Sequence, residues 1–169
     1  MAWTNPKTWA FQEGVESSEL NLHLRDNLLA VGPNIVRARL TADATVSGTT
    51  LTNVSGIAFP IGASEIWSVE FHGMAQVDGT GDYKSNWTVP AAATGHHWAN
   101  GNSLGAQRQD FTTAVILGTS TTTDYGIDEY ATVVNSTNAG TVQFQFAQNS
   151  ASGSNIWRAN AFMIAMRIS

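Results

Sequence analysis

From residue 34 onward, apolar and polar positions alternate with a period of two, the signature of strands with one buried face. Over 65–77, Trp67, Val69, Phe71, Ala75 and Val77 share one face; Glu70, His72 and Gln76 share the other with Ile66 and Met74. Over 140–148, Val142, Phe144 and Phe146 fall inward, with Gln143 and Gln145 outward. Further strands are predicted at 35–40, 56–61, 83–89, 111–117, 127–134 and 156–168, and 41–54 reads as a hairpin broken at Ser47 and Gly48. Gly73 is expected to mark a bulge. Residues 78–82, 118–126 and 150–155 read as turns, and 90–105, with His96, His97 and Trp98, as a loop. That makes about eight to ten short strands at the spacing of sandwiches and barrels. Strict alternation implies antiparallel sheets. The expected fold is mainly β, an antiparallel jelly-roll-like β-sandwich.

Ahead of this body the period changes. Over 14–33, Leu20, Leu24, Leu28 and Val31 recur at steps of four, four and three, one face of an amphipathic helix widened by Leu22 and Leu29. Ser17 or Ser18 can cap its start. Gly32 and Pro33 end it. A tryptophan-rich leader precedes the helix, with Trp3, Trp9 and Phe11 in a segment without periodicity. These aromatics are expected to pack on the chain's own β body or to anchor on a partner. Two parts follow: 1–33 for attachment or oligomerisation, and 34–169 as the β-sandwich.

The end of the chain bears on assembly. Phe162, Ile164, Met166 and Ile168 lie on one face of the last predicted strand, and Met163 and Ala165 on the other. A strand apolar on both faces must be covered on both. The cover is the helix or a neighbouring subunit, and a homotrimer is the expected closed form.

Composition narrows the function. Charged residues make up 12% of the 169, about half the usual ~25%. Thr, Ser, Asn, Gln and Gly fill the deficit, as suits a β protein with neutral outward faces. The net charge is −5 with only 8 Lys plus Arg, scattered apart from Arg37 and Arg39, so no phosphate-neutralising cluster supports nucleic-acid binding. There is no cysteine, hence no thiolate metal site or disulfide. No run approaches a membrane span and the N-terminus lacks a signal-peptide core. A soluble chain made in the cytoplasm is expected.

No constellation argues for catalysis, a cofactor or a metal. Gly101-Asn102-Ser103-Leu104-Gly105 fits the hydrolase elbow pattern, but that elbow needs a strand before the serine and a helix after it. Adjacent histidines such as His96 and His97 do not have metal-ligand spacing. Asp78 and Asp82 flank glycines in a segment too short for an EF-hand loop. Asp124, Asp128 and Glu129 lie near Tyr125 and Tyr130, a composition that can make a glycosidase cleft or a sugar platform. The ligand-facing candidates are Trp87, His96, His97, Trp98 and Tyr125, with Trp157 as a further platform residue.

The opening combines Trp3-Thr4, Thr8-Trp9, Ser18-Glu19-Leu20-Asn21 and Leu24-Arg25-Asp26-Asn27-Leu28. It resembles the start of small bacteriophage virion proteins of the minor tail, tail-fibre or capsid-decoration type. The strands at 140–148 and 161–168 are similar to the last two strands of trimeric knob-like domains on such proteins. The resemblance covers about the first 30 and last 30 residues and implies a non-enzymatic structural role. Trp3, Trp9, Phe11, Leu20, Leu24, Arg25, Asp26 and Leu28 would then attach the chain to other virion proteins or zip subunits together. The location would be the virion, assembled in the host cytoplasm, on the tail or on the capsid, with a host surface glycan as a candidate ligand. The rival reading is a free-standing carbohydrate-binding module, which has no need of an anchoring helix.

Overall fold

The computed structural model describes residues 16–20, 34–78, 80–101, 105–118 and 123–169. The chain divides into two compact units, Met1–Ile35 and Val36–Ser169. In the first, Ser17–Leu20 is α-helical. The rest of the predicted helix lies outside the described residues.

The β strands are, in chain order, β1 (Ile35–Arg39), β2 (Ala44–Val46), β3 (Thr52–Ile61), β4 (Ile66–Gln76), β5 (Tyr83–Thr88) and β6 (Thr94–Gly101). There follow β7 (Gly105–Gln109), β8 (Val115–Leu117), β9 (Asp124–Val134), β10 (Gly140–Gln148), β11 (Asn155–Trp157) and β12 (Phe162–Arg167). The protein is mainly β with antiparallel sheets. The larger sheet has the order β1-β12-β4-β9-β6-β7, with β11 bridging β2 and β4. The smaller has the order β3-β10-β5-β8.

The alternation of the sequence becomes the core. Val69 and Phe71 of β4, Ile127 and Val133 of β9, and Val142 and Phe144 of β10 are all fully buried. Phe71 of the large sheet meets Phe144 of the small one at 4.8 Å between ring centroids, and Trp157 at 4.5 Å. Trp87 closes on Phe144 at 4.9 Å. Offset aromatic pairs at such distances add to the burial that joins the two sheets.

Several expectations are corrected. The predicted hairpin at 41–54 does not form: β2 pairs with β11 in the large sheet, whereas β3 pairs with β10 in the small one. Alternation marks a strand but not its partner. The loop predicted at 90–105 contains β6, an interior strand between β9 and β7. Its inward positions are Gly95, His97, Ala99 and Gly101, too small or too polar to register as an apolar face. The strand predicted at 111–117 shortens to β8. Before it, the Asp110 carboxylate accepts hydrogen bonds from the Thr112 backbone N–H and hydroxyl, which folds the chain into a turn. The single strand predicted at 156–168 is two, β11 and β12, laid end to end along β4. They are separated by a turn in which Asn160 takes a φ of 73°.

Gly73 is no bulge. The β4–β9 register runs unbroken from Ile66↔Val134 to Gln76↔Asp124. The glycine is needed for a close approach instead, since a Cβ there would lie 2.5 Å from the Ala161 Cβ.

Candidate functional site

The outer face of the large sheet collects side chains that the sequence scatters over more than a hundred positions. Antiparallel register sets them in rows. One row runs Ile164, Glu70, Tyr130, Trp98, Arg108 across β12, β4, β9, β6 and β7. The next runs Phe162, His72, Asp128, Asn100, and a third Met166, Ser68, Thr132, His96. On β4, β9 and β12 the outward positions alternate with the inward ones that carry the core, such as Val69, Phe71, Ala131 and Met163.

The rings form a continuous line. Trp98 stacks on Tyr130 with centroids 4.0 Å apart and planes 11° apart. Tyr130 meets His72 edge-on at 5.5 Å, and His72 meets Phe162 at 5.5 Å. His72 donates from Nδ1 to Asp128 at 2.8 Å and from Nε2 to Glu70 at 3.2 Å. Desolvation lowers the His72 pKa, but the hydrogen bonds and charges of Asp128 and Glu70 outweigh it and the value is raised. With both ring nitrogens engaged by carboxylates, the group suits charge pairing more than proton transfer. Toward β12 the face turns apolar: Phe162 is 43% exposed and Met166 51%. Arg37 and Arg39 of β1 border this stripe, lining with Phe162 and Ile164 a shallow hollow of about 260 Å³.

At the end of the sheet, Arg158 holds a second polar group together. Its guanidinium donates to Asp124 and Asp43, each at 2.9 Å, and to Gln76 at 3.0 Å. This clamp ties the turn after β11 to β4 and β9 and to the chain just before β2.

The sequence-predicted residues separate. His96 and Trp98 lie on the outer face. Trp87 (1% exposed), His97 (0%) and Trp157 lie in the core, so none of the three faces a ligand. Tyr125 points inward and packs against the core. The carboxylate cluster splits by the parity of β9: Asp124 and Asp128 face out, on Arg158 and His72, while Glu129 is fully buried. The G-x-S-x-G segment connects two paired strands, Gly101 opposite Gly105, so β7 stands where a hydrolase elbow has its helix. Trp3, Trp9, Phe11, Leu24, Arg25, Asp26 and Leu28 lie outside the described residues, as does the Leu20 side chain. Glu70 and His72 stood in the sequence as the polar face of a strand. Their meeting with Asp128 is set by the β4–β9 register, which no local pattern carries.

Inside the sandwich lies an acidic group that alternation along β9 could have revealed. The Tyr83 hydroxyl donates to Glu129 at 2.6 Å, and Trp157 Nε1 donates to the Tyr83 oxygen at 3.3 Å. Burial raises the Glu129 pKa to about 8 against the lowering effect of the Tyr83 bond. The carboxyl is thus largely protonated at neutral pH.

No protein-family model matches the chain, and no curated protein does. Among solved structures, the chain is similar to one from the tripod (BppUct-A-L) of the baseplate of bacteriophage Tuc2009, at 10% identity. The match covers 98% of this chain and 78% of that one, with a TM-score of 0.29, too low to establish a common fold.

Proposed function

We propose that this chain is a non-enzymatic structural component of a bacteriophage virion, carried on the tail or the capsid. The resemblance of its opening to phage virion proteins suggests the setting. The observation that carries the role is the outer face of the large sheet. It combines exposed apolar side chains on β12 with His72 held between Glu70 and Asp128, a surface for protein contact. Asp124, Asp128 and Glu129 are divided between two separate ion pairs and the core, which favours a structural role over hydrolysis.

The strand order supports a jelly-roll reading of the body. Setting aside the β6–β7 hairpin and the β2–β11 pair, the remaining strands alternate between sheets as β1, β12, β4, β9 and β3, β10, β5, β8. Every connection among them crosses the core except β5 to β8, the pattern of a double Greek key. In this reading residues 1–33 attach the body to the particle.

The test is to probe purified particles of the phage that encodes the chain by peptide mass spectrometry and immunogold labelling. Label at one fixed location on the particle is expected. Its absence from intact particles overturns the proposal. A glycan array screened with the same chain addresses the carbohydrate-binding alternative. Against that alternative, Trp98 and Tyr130 stack on each other, so each ring has one of its faces taken by the other.

A further inference from the structure

We infer that the outer face of the large sheet is an isologous contact: two copies of this chain associate through β12, about a two-fold axis parallel to that strand. The inference concerns this surface alone and stands whether or not the virion reading holds.

β12 is covered on one side only. Its inner face is complete, with Met163 and Ala165 fully buried. Its outer face presents Phe162, Ile164 and Met166 in sequence along the strand, and the first and last of these are among the most exposed large apolar side chains described. An apolar stripe in this position leaves its occupant open. The charges on either side identify it.

On one side of the stripe runs β1 with Arg37 and Arg39, outward and exposed. On the other side runs β4 with Glu70, half of whose side chain is exposed, followed by Asp128 of β9. The order across the face is therefore basic, apolar, acidic. A half-turn about β12 lays the apolar stripe of one copy on that of the other. It also carries the basic edge of each copy over the acidic rows of its partner. Arg37 then faces Glu70 of the partner subunit, and the same contact repeats on the far side of the axis, as two-fold symmetry requires. Neighbouring strands are ~4.8 Å apart, so the two charges within one chain, separated by β12, do not satisfy each other directly. His72 between Glu70 and Asp128 reduces the acidic charge without cancelling it. An unrelated apolar partner would account for the stripe but not for opposite charges placed symmetrically about it.

The test is the solution mass of the full chain by light scattering across a dilution series, with charge variants. The wild type is expected at twice the chain mass. Arg37→Glu alone and Glu70→Arg alone should each weaken self-association at least ~10-fold, because each creates two like-charge contacts per dimer. The double variant R37E/E70R in one chain restores both contacts with reversed polarity and should recover most of the affinity. Met166→Asp, on the exposed stripe, should give a monomer with an unchanged circular dichroism spectrum. A wild-type monomer or trimer overturns the inference, and so does a double variant no tighter than the single ones.

Discussion

The Tyr83 hydroxyl lies 2.6 Å from the Glu129 carboxyl group in the middle of the sandwich, bridging the two sheets with a hydrogen bond. A carboxyl in this position has exchanged water for apolar walls and one good donor. Its proton remains bound several pH units beyond the ordinary range because ionisation there has little solvation to draw on.

Stability should therefore fall as pH rises. The folded pKa of Glu129, about 8, stands above the ordinary 4.5. The group's stabilising contribution is fully present below pH 4.5, declines between 4.5 and about 8, and is gone above that. The whole span amounts to on the order of 5 kcal/mol. Urea unfolding at pH 5, 7 and 9 measures it. Glu129→Gln, which keeps the shape and cannot ionise, should flatten this dependence. The difference between wild type and variant isolates the group, because His97, whose pKa burial lowers, acts in the opposite direction below pH 6.5. A slope equal in both proteins would show that Glu129 ionises freely in the fold.

The two histidines should titrate on opposite sides of the ordinary value of 6.5. Burial lowers His97 despite its bond to the Thr113 carbonyl, and the flanking carboxylates raise His72. Proton NMR of the imidazole resonances should show His97 still neutral where His72 is already half charged. In Asp128→Asn the His72 midpoint should move down and that of His97 should stay in place.

Gly73→Ala should destabilise the body by about 1–3 kcal/mol. The new methyl would stand 2.5 Å from the Ala161 Cβ and 2.9 Å from its Cα, and the second of these is backbone that cannot rotate away. Denaturant midpoints measure the loss. Ala161→Gly in the same chain should recover part of it, and no recovery would show that the loss does not come from this contact.

Trp87 and Trp98 should part company on truncation. Trp87→Ala empties a site in the core against Phe144 and should cost about 3–5 kcal/mol. Trp98→Ala removes an outer-face ring stacked on Tyr130 and should cost about 0.5–1.5 kcal/mol. Thermal unfolding of the two variants separates them; equal costs would contradict the assignment of one to the core and the other to the surface.

The β character of the body and most of its inward residues follow from the order of residues along the chain. Alternation is a local property: Trp67, Val69 and Phe71, or Val142, Phe144 and Phe146, declare a buried face two residues at a time, and the structure buries them. It also exposed the two-sided apolar character of the last strand. Strand pairing does not follow from it. The partner of β2 is β11, more than a hundred residues away, and no local pattern encodes that choice. β6 carries no apolar alternation because its inward positions are filled by Gly95, His97 and Ala99. At Gly95, φ is 131° and a Cβ would lie 2.0 Å from the Thr132 carbonyl oxygen, so the space a large side chain would take elsewhere is already occupied. Asp128 and Glu129 are adjacent in the chain and opposite in fate, one in an exposed ion pair and the other protonated in the core. Strand parity separates them, but only the second sheet, with Tyr83 waiting on β5, makes the separation a chemical difference.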